Sequence, residues 1–245
     1  MNLKENTTTM STAEIDKLLA QSFDISRTNP HKGIELADEA LHCSLPNSLQ
    51  KAQATVCKGA CQVWLGEYET ALKNLFEPLV QLEEFNDSKF EAHALYHVFC
   101  SFYFLADYDN ALKYASEMLA RAEKNGNISA QANALNGIGS VYYTSGEDQK
   151  AVEALSKGLV VAEKLDDKHL LARILDGLGS AYFNLKDIEK AIDFKERSLE
   201  TARPIGLKNV ESYALDGLAR IYFEAHAYKI SEKLFSNITI SKIPC

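Results

Sequence analysis

The feature that most constrains this chain is a thirteen-residue segment that occurs twice, forty residues apart. GSVYYTSGEDQKA at 139–151 is followed by GSAYFNLKDIEKA at 179–191, and five of the thirteen positions are identical. The same interval relates a set of alanines and a set of leucines: Ala71, Ala111, Ala151 and Ala191, and Leu79, Leu119, Leu159 and Leu199. A regular internal period of this length predicts an array of similar structural units.

Each unit has the spacing of helices. Leu135, Ile138, Gly139 and Tyr142 follow one another at intervals of three, one and three residues, which places them on one stripe of a helix. Short breaker segments, such as NGN at 125–127, separate the stripes. Each unit is therefore predicted to be a pair of helices that cross closely at the small residues. One such hairpin cannot bury its own apolar face, so neighbouring hairpins must stack.

The composition agrees with a folded, helical chain. Five prolines and twelve glycines in 245 residues are few, which favours long helices over a fold rich in turns. The net charge of −8 disfavours nucleic acid and anionic lipid as partners, and no run of eighteen apolar residues predicts a membrane span. The polar N-terminus lacks the apolar core of a signal peptide, and five irregularly spaced cysteines favour reduced thiols. We therefore expect a cytoplasmic protein.

The repeated residues resemble the tetratricopeptide repeat (TPR) family. The resemblance covers roughly residues 30–235 and is clearest in the third and fourth full units. The residues that match the family pattern are Leu135, Ile138, Gly139, Tyr142, Gly146, Ala151, Leu155 and Leu159 in the third unit, and Leu175, Leu178, Gly179, Tyr182, Ala191 and Leu199 in the fourth. It implies an all-α, right-handed α-solenoid of helix-turn-helix hairpins. The forty-residue period is similar to that of TPR arrays in bacterial signalling proteins, against the more usual period of about 34 residues.

The period also predicts the organisation of the chain. Residues 1–11 are expected to be disordered and residues 12–245 to form a single solenoid. Its predicted parts are a degenerate hairpin at 12–45, full hairpins at about 50–84, 88–124, 128–164 and 168–204, and a partial hairpin at 208–245. No polar capping helix is visible at the C-terminal end, where Leu234, Phe235, Ile238 and Ile243 recur near helical spacing.

Several residue groups have the types that support chemistry, and each also has a structural interpretation. His93 and His97 are four residues apart, as are Cys57 and Cys61, a spacing that can place two ligands on a metal. The motif HALYH lacks the glutamate of a zinc protease, and core packing explains these side chains better. Because no nucleophile, base and orienting group occur together, we predict no catalytic residues, no metal and no cofactor.

The resemblance implies that the first helix of each hairpin lines a concave groove. The residues predicted to face that groove, taken at the forty-residue interval, are His93, Tyr96, Tyr103, Asn133, Asn136, Ser140, Tyr143, Arg173, Asp176, Phe183, Asp216 and Arg220. Ordinary packing between repeats is an equally good explanation of the tyrosines. An amphipathic helix or an extended peptide is the ligand that fits such a groove.

Two functions from different classes follow. The first is a non-catalytic module that binds a protein or peptide, as a sensory or scaffolding arm of a bacterial signalling system. The alternative is a self-association module that forms a homodimer through its uncapped C-terminal hairpin.

Overall fold

In the computed structural model, residues 10–240 are described, with side chains as far as residue 226. This part of the chain contains eleven α-helices and no strand. Their bounds are α1 Thr12–Ile25, α2 Pro30–Cys43, α3 Leu49–Leu65, α4 Tyr68–Glu84, α5 Ser88–Phe104, α6 Tyr108–Lys124, α7 Ile128–Thr144, α8 Asp148–Ala162, α9 Lys168–Asn184, α10 Ile188–Ala202 and α11 Lys208–Ile240. The prediction of disorder at 1–11 falls mainly outside the described residues, and Ser11 caps α1 through a reciprocal capping box with Glu14.

The chain divides into two compact units, residues 1–137 and 138–245, with the boundary inside α7. In the first unit, α1, α3 and α5 each pack on the even-numbered helix that follows, and α3 also contacts α1 and α5. In the second unit, α9 packs on α10, and α11 contacts both. The sequence predicted a single solenoid over 12–245. Because each repeat contacts only its neighbours, such an array can divide into compact units of this kind.

The turns between paired helices share one backbone feature. Gly66, Ala106, Gly146 and Lys186 all have positive φ, between 59° and 81°, and they lie at intervals of forty residues. Each ends an odd-numbered helix in the left-handed conformation that releases the chain into the next helix. A positive φ also occurs between hairpins, at Asn86, Gly126 and Gly206. The backbone is therefore compatible with the forty-residue period that the sequence indicates.

The paired helices touch where the sequence places its small residues. A methyl group added at Gly59 would lie 2.8 Å from Leu75 Cγ, so only glycine admits this leucine between the helices. Gly139 receives Leu155 in the same way. The second full hairpin reverses the sizes: the glycine position holds Phe99 and the leucine position holds Ala115, both buried. A large residue on one helix is thus again matched by a small residue at the equivalent position of its partner helix.

The C-terminal partial repeat differs from the predicted hairpin. α11 continues without a break from Lys208 to Ile240, where the sequence led us to expect a turn followed by a second helix near Tyr228. The turn position, by the forty-residue interval, is His226, which lies within the helix. The predicted apolar stripe at 234–243 lies outside the residues whose side chains are described.

The left-handed turns provide a direct test of the backbone geometry. Replacing Ala106 by Gly removes a β-carbon from a residue at φ 59°, so we expect the free energy of unfolding to rise by about 1 kcal/mol. Gly146→Ala is the matched reverse substitution, and it should lower stability by a similar amount, because no atom lies within 4 Å of the added methyl group. Urea unfolding of both variants measures the two effects. If Ala106→Gly destabilises the protein, the left-handed assignment of this turn is wrong.

Candidate functional site

A cavity of about 320 Å³ opens between three odd-numbered helices of the first unit. α1, α3 and α5 contribute its walls, and its volume is within the range of binding pockets for small ligands and side chains. Its lining residues are Asp16, Leu19, Ala20, Phe23, Asp24, Leu49, Gln50, Gln53, Lys89, Phe90 and His93. Of the residues predicted to face the groove, only His93 lies in this lining.

Three rings form the apolar part of the cavity. The centroid of the Phe23 ring lies 4.1 Å from that of His93 and 6.3 Å from that of Phe90, and the Phe90 and His93 centroids are 5.9 Å apart. Phe23 comes from α1 and the other two rings from α5, so the cluster joins the degenerate hairpin to the second full one. Such mutually packed rings present a rigid apolar surface to a ligand.

The rim of the cavity is charged. Asp16 and Asp24 are exposed on α1, and Lys89 is exposed on α5. Below them, Gln53 donates a hydrogen bond of 2.6 Å from Nε2 to Oδ2 of Asp87, which fixes the amide at the wall. An apolar side chain with a neighbouring cationic group matches this combination of rings and carboxylates.

The two histidines of α5 are neutral in the folded protein. Burial lowers the pKa of His93 to about 4, with a further contribution from Lys89, and burial lowers the pKa of His97 to about 3. The His97 ring packs against Trp64 at a centroid distance of 6.4 Å, and its Nδ1 is buried without a hydrogen-bond partner. His97 is therefore a core residue, and His93 contributes a neutral ring to the cavity.

The cysteines of α3 are also core residues. Burial raises the pKa of Cys57 to about 12 and that of Cys61 to about 11, so both thiols stay protonated near neutral pH. The Cys57 Sγ lies 3.6 Å from the carbonyl oxygen of Leu19, to which it donates. Among the described residues, no group of three histidines, cysteines or carboxylates has the geometry to hold a metal ion.

The other predicted groove residues of the first unit are partly withdrawn from solvent. The half-buried rings of Tyr96 and Tyr103 lie 6.2 Å and 5.8 Å from Phe99, which joins them into one aromatic row along α5. Asn133 donates to the backbone oxygen of Ser129 at 3.0 Å, and Asn136 is buried, with 6% exposure. Asn136 therefore offers a ligand little surface in this structure.

The predicted residues of the second unit differ widely in exposure. Asp216 and Arg220 are exposed on α11, whereas Phe183 is buried. The Phe183 ring has Arg220 at 5.6 Å and the ammonium group of Lys186 at 5.3 Å from its centroid. Phe183 thus supports two cations rather than presenting its own face. The remaining predicted residues here are half-buried: Ser140, Tyr143 and Arg173.

A buried lysine reaches one of the predicted residues, Asp176, from the neighbouring helix. Lys195 of α10 pairs its Nζ with Oδ1 of Asp176 at 2.6 Å and donates to Oγ of Ser180 at 2.8 Å. Its side chain passes between two glycines: a methyl group at Gly179 would lie 2.7 Å from its Cγ, and one at Gly217 2.6 Å from its Cε. The absence of side chains at these glycines leaves room for the lysine between α9 and α11.

The buried pair makes the electrostatics of Asp176 unusual. Desolvation raises the pKa of this carboxyl, and the charge and hydrogen bond of Lys195 offset that effect only in part. The Lys195 side chain is 4% exposed and that of Asp176 is 18% exposed. Asp176 is thus an oriented carboxylate with little solvent-exposed surface. Because it is largely shielded from water, any hydrogen bond that it accepts is strengthened.

The sequence reasoning missed the residues that matter most in both places. At the forty-residue interval, Lys195 occupies the position of Leu75, Ala115 and Leu155. A charged residue at an otherwise apolar position of the repeat is a signal that could have identified it. Phe23 had no such signal, because the degenerate hairpin has a different length from the others. Phe90 lies in the first turn of α5, before the stripe that was traced.

The comparisons with known proteins identify the repeat. Residues 130–204 match the tetratricopeptide repeat family. The structure is similar to the apo form of RapI, with a TM-score of 0.71 at 16% identity over 92% of this chain and 86% of that one. It is also similar to the signal transduction ATPase with numerous domains (STAND), which has a tetratricopeptide repeat sensor, from Pyrococcus horikoshii; the TM-score is 0.69 at 20% identity over 95% and 37% of the two chains.

A third similar structure is that of a Rap protein complexed with competence and sporulation factor, with a TM-score of 0.58 at 19% identity over 86% and 65% of the two chains. No curated protein sequence matches the chain significantly. At these identities the structural likeness establishes the fold alone. The predicted all-α solenoid of TPR-like hairpins is thereby confirmed.

The buried histidines predict how stability depends on pH. In the unfolded chain both titrate near 6.5, whereas in the folded protein their pKa values are about 3 and 4. As the pH falls below 6.5, only the unfolded chain takes up these protons, so stability should fall by about 1.4 kcal/mol per pH unit for each histidine. Urea unfolding between pH 7 and about pH 5 measures the slope. His97→Phe should remove one histidine's share; an unchanged slope would mean that His97 is protonated in the fold.

The Lys195–Asp176 pair predicts a compensating pair of substitutions. Lys195→Leu leaves a largely buried carboxylate without its counter-ion and should lower the free energy of unfolding by about 3 kcal/mol. Adding Asp176→Asn reproduces Asn136 and Leu155 of the preceding hairpin, and most of the lost stability should return. Denaturant unfolding of the two single variants and the double variant measures this coupling. Additive effects would show that the two side chains do not interact.

Proposed function

We propose that this chain, whose residues 130–204 are tetratricopeptide repeats, is a non-catalytic module that binds a peptide or helical segment of a partner protein. In each unit by itself, the proposed contact surface is the odd-helix face, by which we mean the surface of α1, α3 and α5 in the first unit and of α9 and α11 in the second. The observation that carries this proposal is the ring-lined cavity between α1, α3 and α5.

The chemistry of the cavity specifies one part of the ligand. The cluster of Phe23, Phe90 and His93 receives an apolar side chain, and the neutral state of His93 keeps this surface free of charge near neutral pH. Asp16 and Asp24 at the rim favour a lysine or arginine next to that side chain. A short segment that pairs one large apolar residue with a neighbouring cation is therefore the best match.

The second unit, taken by itself, offers polar groups for contact with a partner segment. Asp216 and Arg220 are exposed on α11, and Asp176 is held in place by Lys195. Together with these, the proposed contact residues are those predicted from the sequence: His93, Tyr96, Tyr103, Asn133, Asn136, Ser140, Tyr143, Arg173 and Phe183. Of these, Phe183 is buried and would contribute through the two cations it supports, and the buried Asn136 offers a ligand little surface.

Two lines of support favour a binding role over catalysis. The side chains with the most catalytic potential, His97, Cys57 and Cys61, are buried, and their pKa values are shifted away from reactivity at neutral pH. The structural relatives include a Rap protein complexed with competence and sporulation factor and an ATPase with a tetratricopeptide repeat sensor. Both likenesses support the proposal of a sensory or scaffolding arm of a signalling system, which we propose to be bacterial. In the described part of the chain, no helix is long and apolar enough to cross a membrane.

The cavity can be tested with peptides displayed from a random library. We expect selection on the wild-type protein to enrich sequences in which an aromatic or branched apolar residue stands beside a lysine or arginine. Phe90→Ala should weaken binding of an enriched peptide at least tenfold, by about 1.4–3 kcal/mol, because it removes a central ring. Isothermal titration calorimetry measures the affinity, and circular dichroism checks that the helices remain.

Val80→Ala is the matched control, because Val80 is an exposed apolar residue on the even-numbered helix α4. It should leave the affinity unchanged. The charge at the rim is tested separately by Asp24→Asn, which should weaken peptides with a cation and spare peptides without one. The proposed site is wrong if Val80→Ala abolishes binding while Phe90→Ala does not.

A further inference from the structure

One face of α11 is uncovered where the same face of α9 is buried. Leu175 is 2% exposed, whereas its equivalent forty residues later, Leu215, is 43% exposed. The Tyr182 ring stacks on Phe194 of α10 at a centroid distance of 5.5 Å, whereas Tyr222 is 52% exposed. The sequence of α11 therefore retains the residues that pack on a following even-numbered helix, but their apolar surface faces solvent.

In the earlier hairpins, this face is covered by the helix that follows a tight turn. Two features support that turn: a glycine at the left-handed position, and an aspartate after it that caps the next helix. Gly66 and Gly146 have the first feature, and the residues that follow them make no side-chain cap. Ala106 and Lys186 lack the glycine, but each is followed by an aspartate whose carboxylate accepts a hydrogen bond from the backbone of the next helix. Asp107 Oδ1 accepts from Asn110 N at 3.2 Å, and Asp187 Oδ1 accepts from Lys190 N at 3.3 Å.

The fifth turn has neither feature. His226 stands at the left-handed position and Ala227 at the capping position. A non-glycine residue is disfavoured in the left-handed conformation, because its β-carbon comes too close to the following carbonyl oxygen, and alanine provides no side-chain oxygen for a cap. The helix therefore continues through this point to Ile240.

Because α11 is continuous, its C-terminal half cannot fold back to cover the exposed face of its N-terminal half. Ile240 lies about 27 Å beyond Tyr222 along a regular helix, at 1.5 Å per residue. The segment that the repeat pattern assigns as the fifth even-numbered helix, 228–240, is thus separated from the face that its counterparts cover. Its length is close to that of α8 and α10, which have 15 residues each.

We propose that two copies of the chain exchange this segment. Residues 228–240 of each copy pack on the α11 face of the other, the face that contains the exposed residues Leu215, Ala219 and Tyr222. The contact repeats the packing of α9 on α10 and is reciprocal, as a two-fold symmetric dimer requires. This inference does not depend on the proposed peptide site, because it concerns another face of α11. It replaces the predicted closed C-terminal hairpin with an open one.

The experiment restores the missing turn in the full chain. The wild-type protein should be a dimer at micromolar concentration by light scattering and sedimentation. The double variant His226→Gly, Ala227→Asp permits the left-handed residue and supplies the cap, so each segment can fold back on its own copy. Its dimer dissociation constant should rise at least about tenfold, because the closed monomer is stabilised by both features.

His226→Ala is the matched control: it removes the same ring without permitting the turn, and it should remain a dimer. Tyr222→Ser should weaken the dimer at least about tenfold by removing a ring from the shared contact, and circular dichroism should show the helices intact. A wild-type protein that is monomeric at high concentration overturns the proposal. The proposal is also overturned if the dimer dissociation constant of the double variant His226→Gly, Ala227→Asp equals that of the wild type, whatever the effect of Tyr222→Ser.

Discussion

The fold depends on close crossing between paired helices, and that crossing requires a small residue on one helix where the other presents a large one. Gly59 accepts Leu75 and Gly139 accepts Leu155, while Phe99 stands opposite a position reduced to Ala115. Because interiors are packed as densely as organic crystals, the two positions cannot vary independently. The forty-residue period survives in the sequence for this reason, even where the individual letters change.

The same constraint explains how a charge entered the packed layer. Lys195 replaces a leucine, and Gly179 and Gly217 provide the space for its longer chain. The lysine carries its ammonium group to Asp176 and Ser180, and these two hydrogen-bond partners stabilise its charge in a buried site. The position that holds a packing leucine, Leu155, in the preceding hairpin holds Lys195 here. Lys195 thereby affects the polarity of the α9 surface in its own hairpin. The pair Asn136 and Leu155 shows the uncharged version of the same arrangement.

The sequence predicted what is periodic and missed what is not. Helical spacing, the small residues and the resemblance to TPR repeats predicted an all-α solenoid, because every hairpin must satisfy the same packing. The ring-lined cavity escaped prediction, since Phe23 belongs to a hairpin whose length is out of phase with the others. The continuous α11 escaped for a different reason: the absence of a glycine and of an aspartate at 226–227 is a weaker signal than their presence. The burial of Asn136 and Phe183 depends on neighbouring side chains that periodicity does not reveal.

The glycines that permit these crossings also make the helices weak on their own. α7 contains Gly137 and Gly139, and α9 contains Gly177 and Gly179, and each interior glycine costs about 1 kcal/mol of helix stability relative to alanine. A helix of 17 residues with two such positions does not persist alone in water. α7 and α9 therefore become helical only as their neighbours dock, so secondary and tertiary structure form together. This makes folding cooperative across adjacent hairpins, and excising one hairpin would leave the next without the contacts that keep it helical.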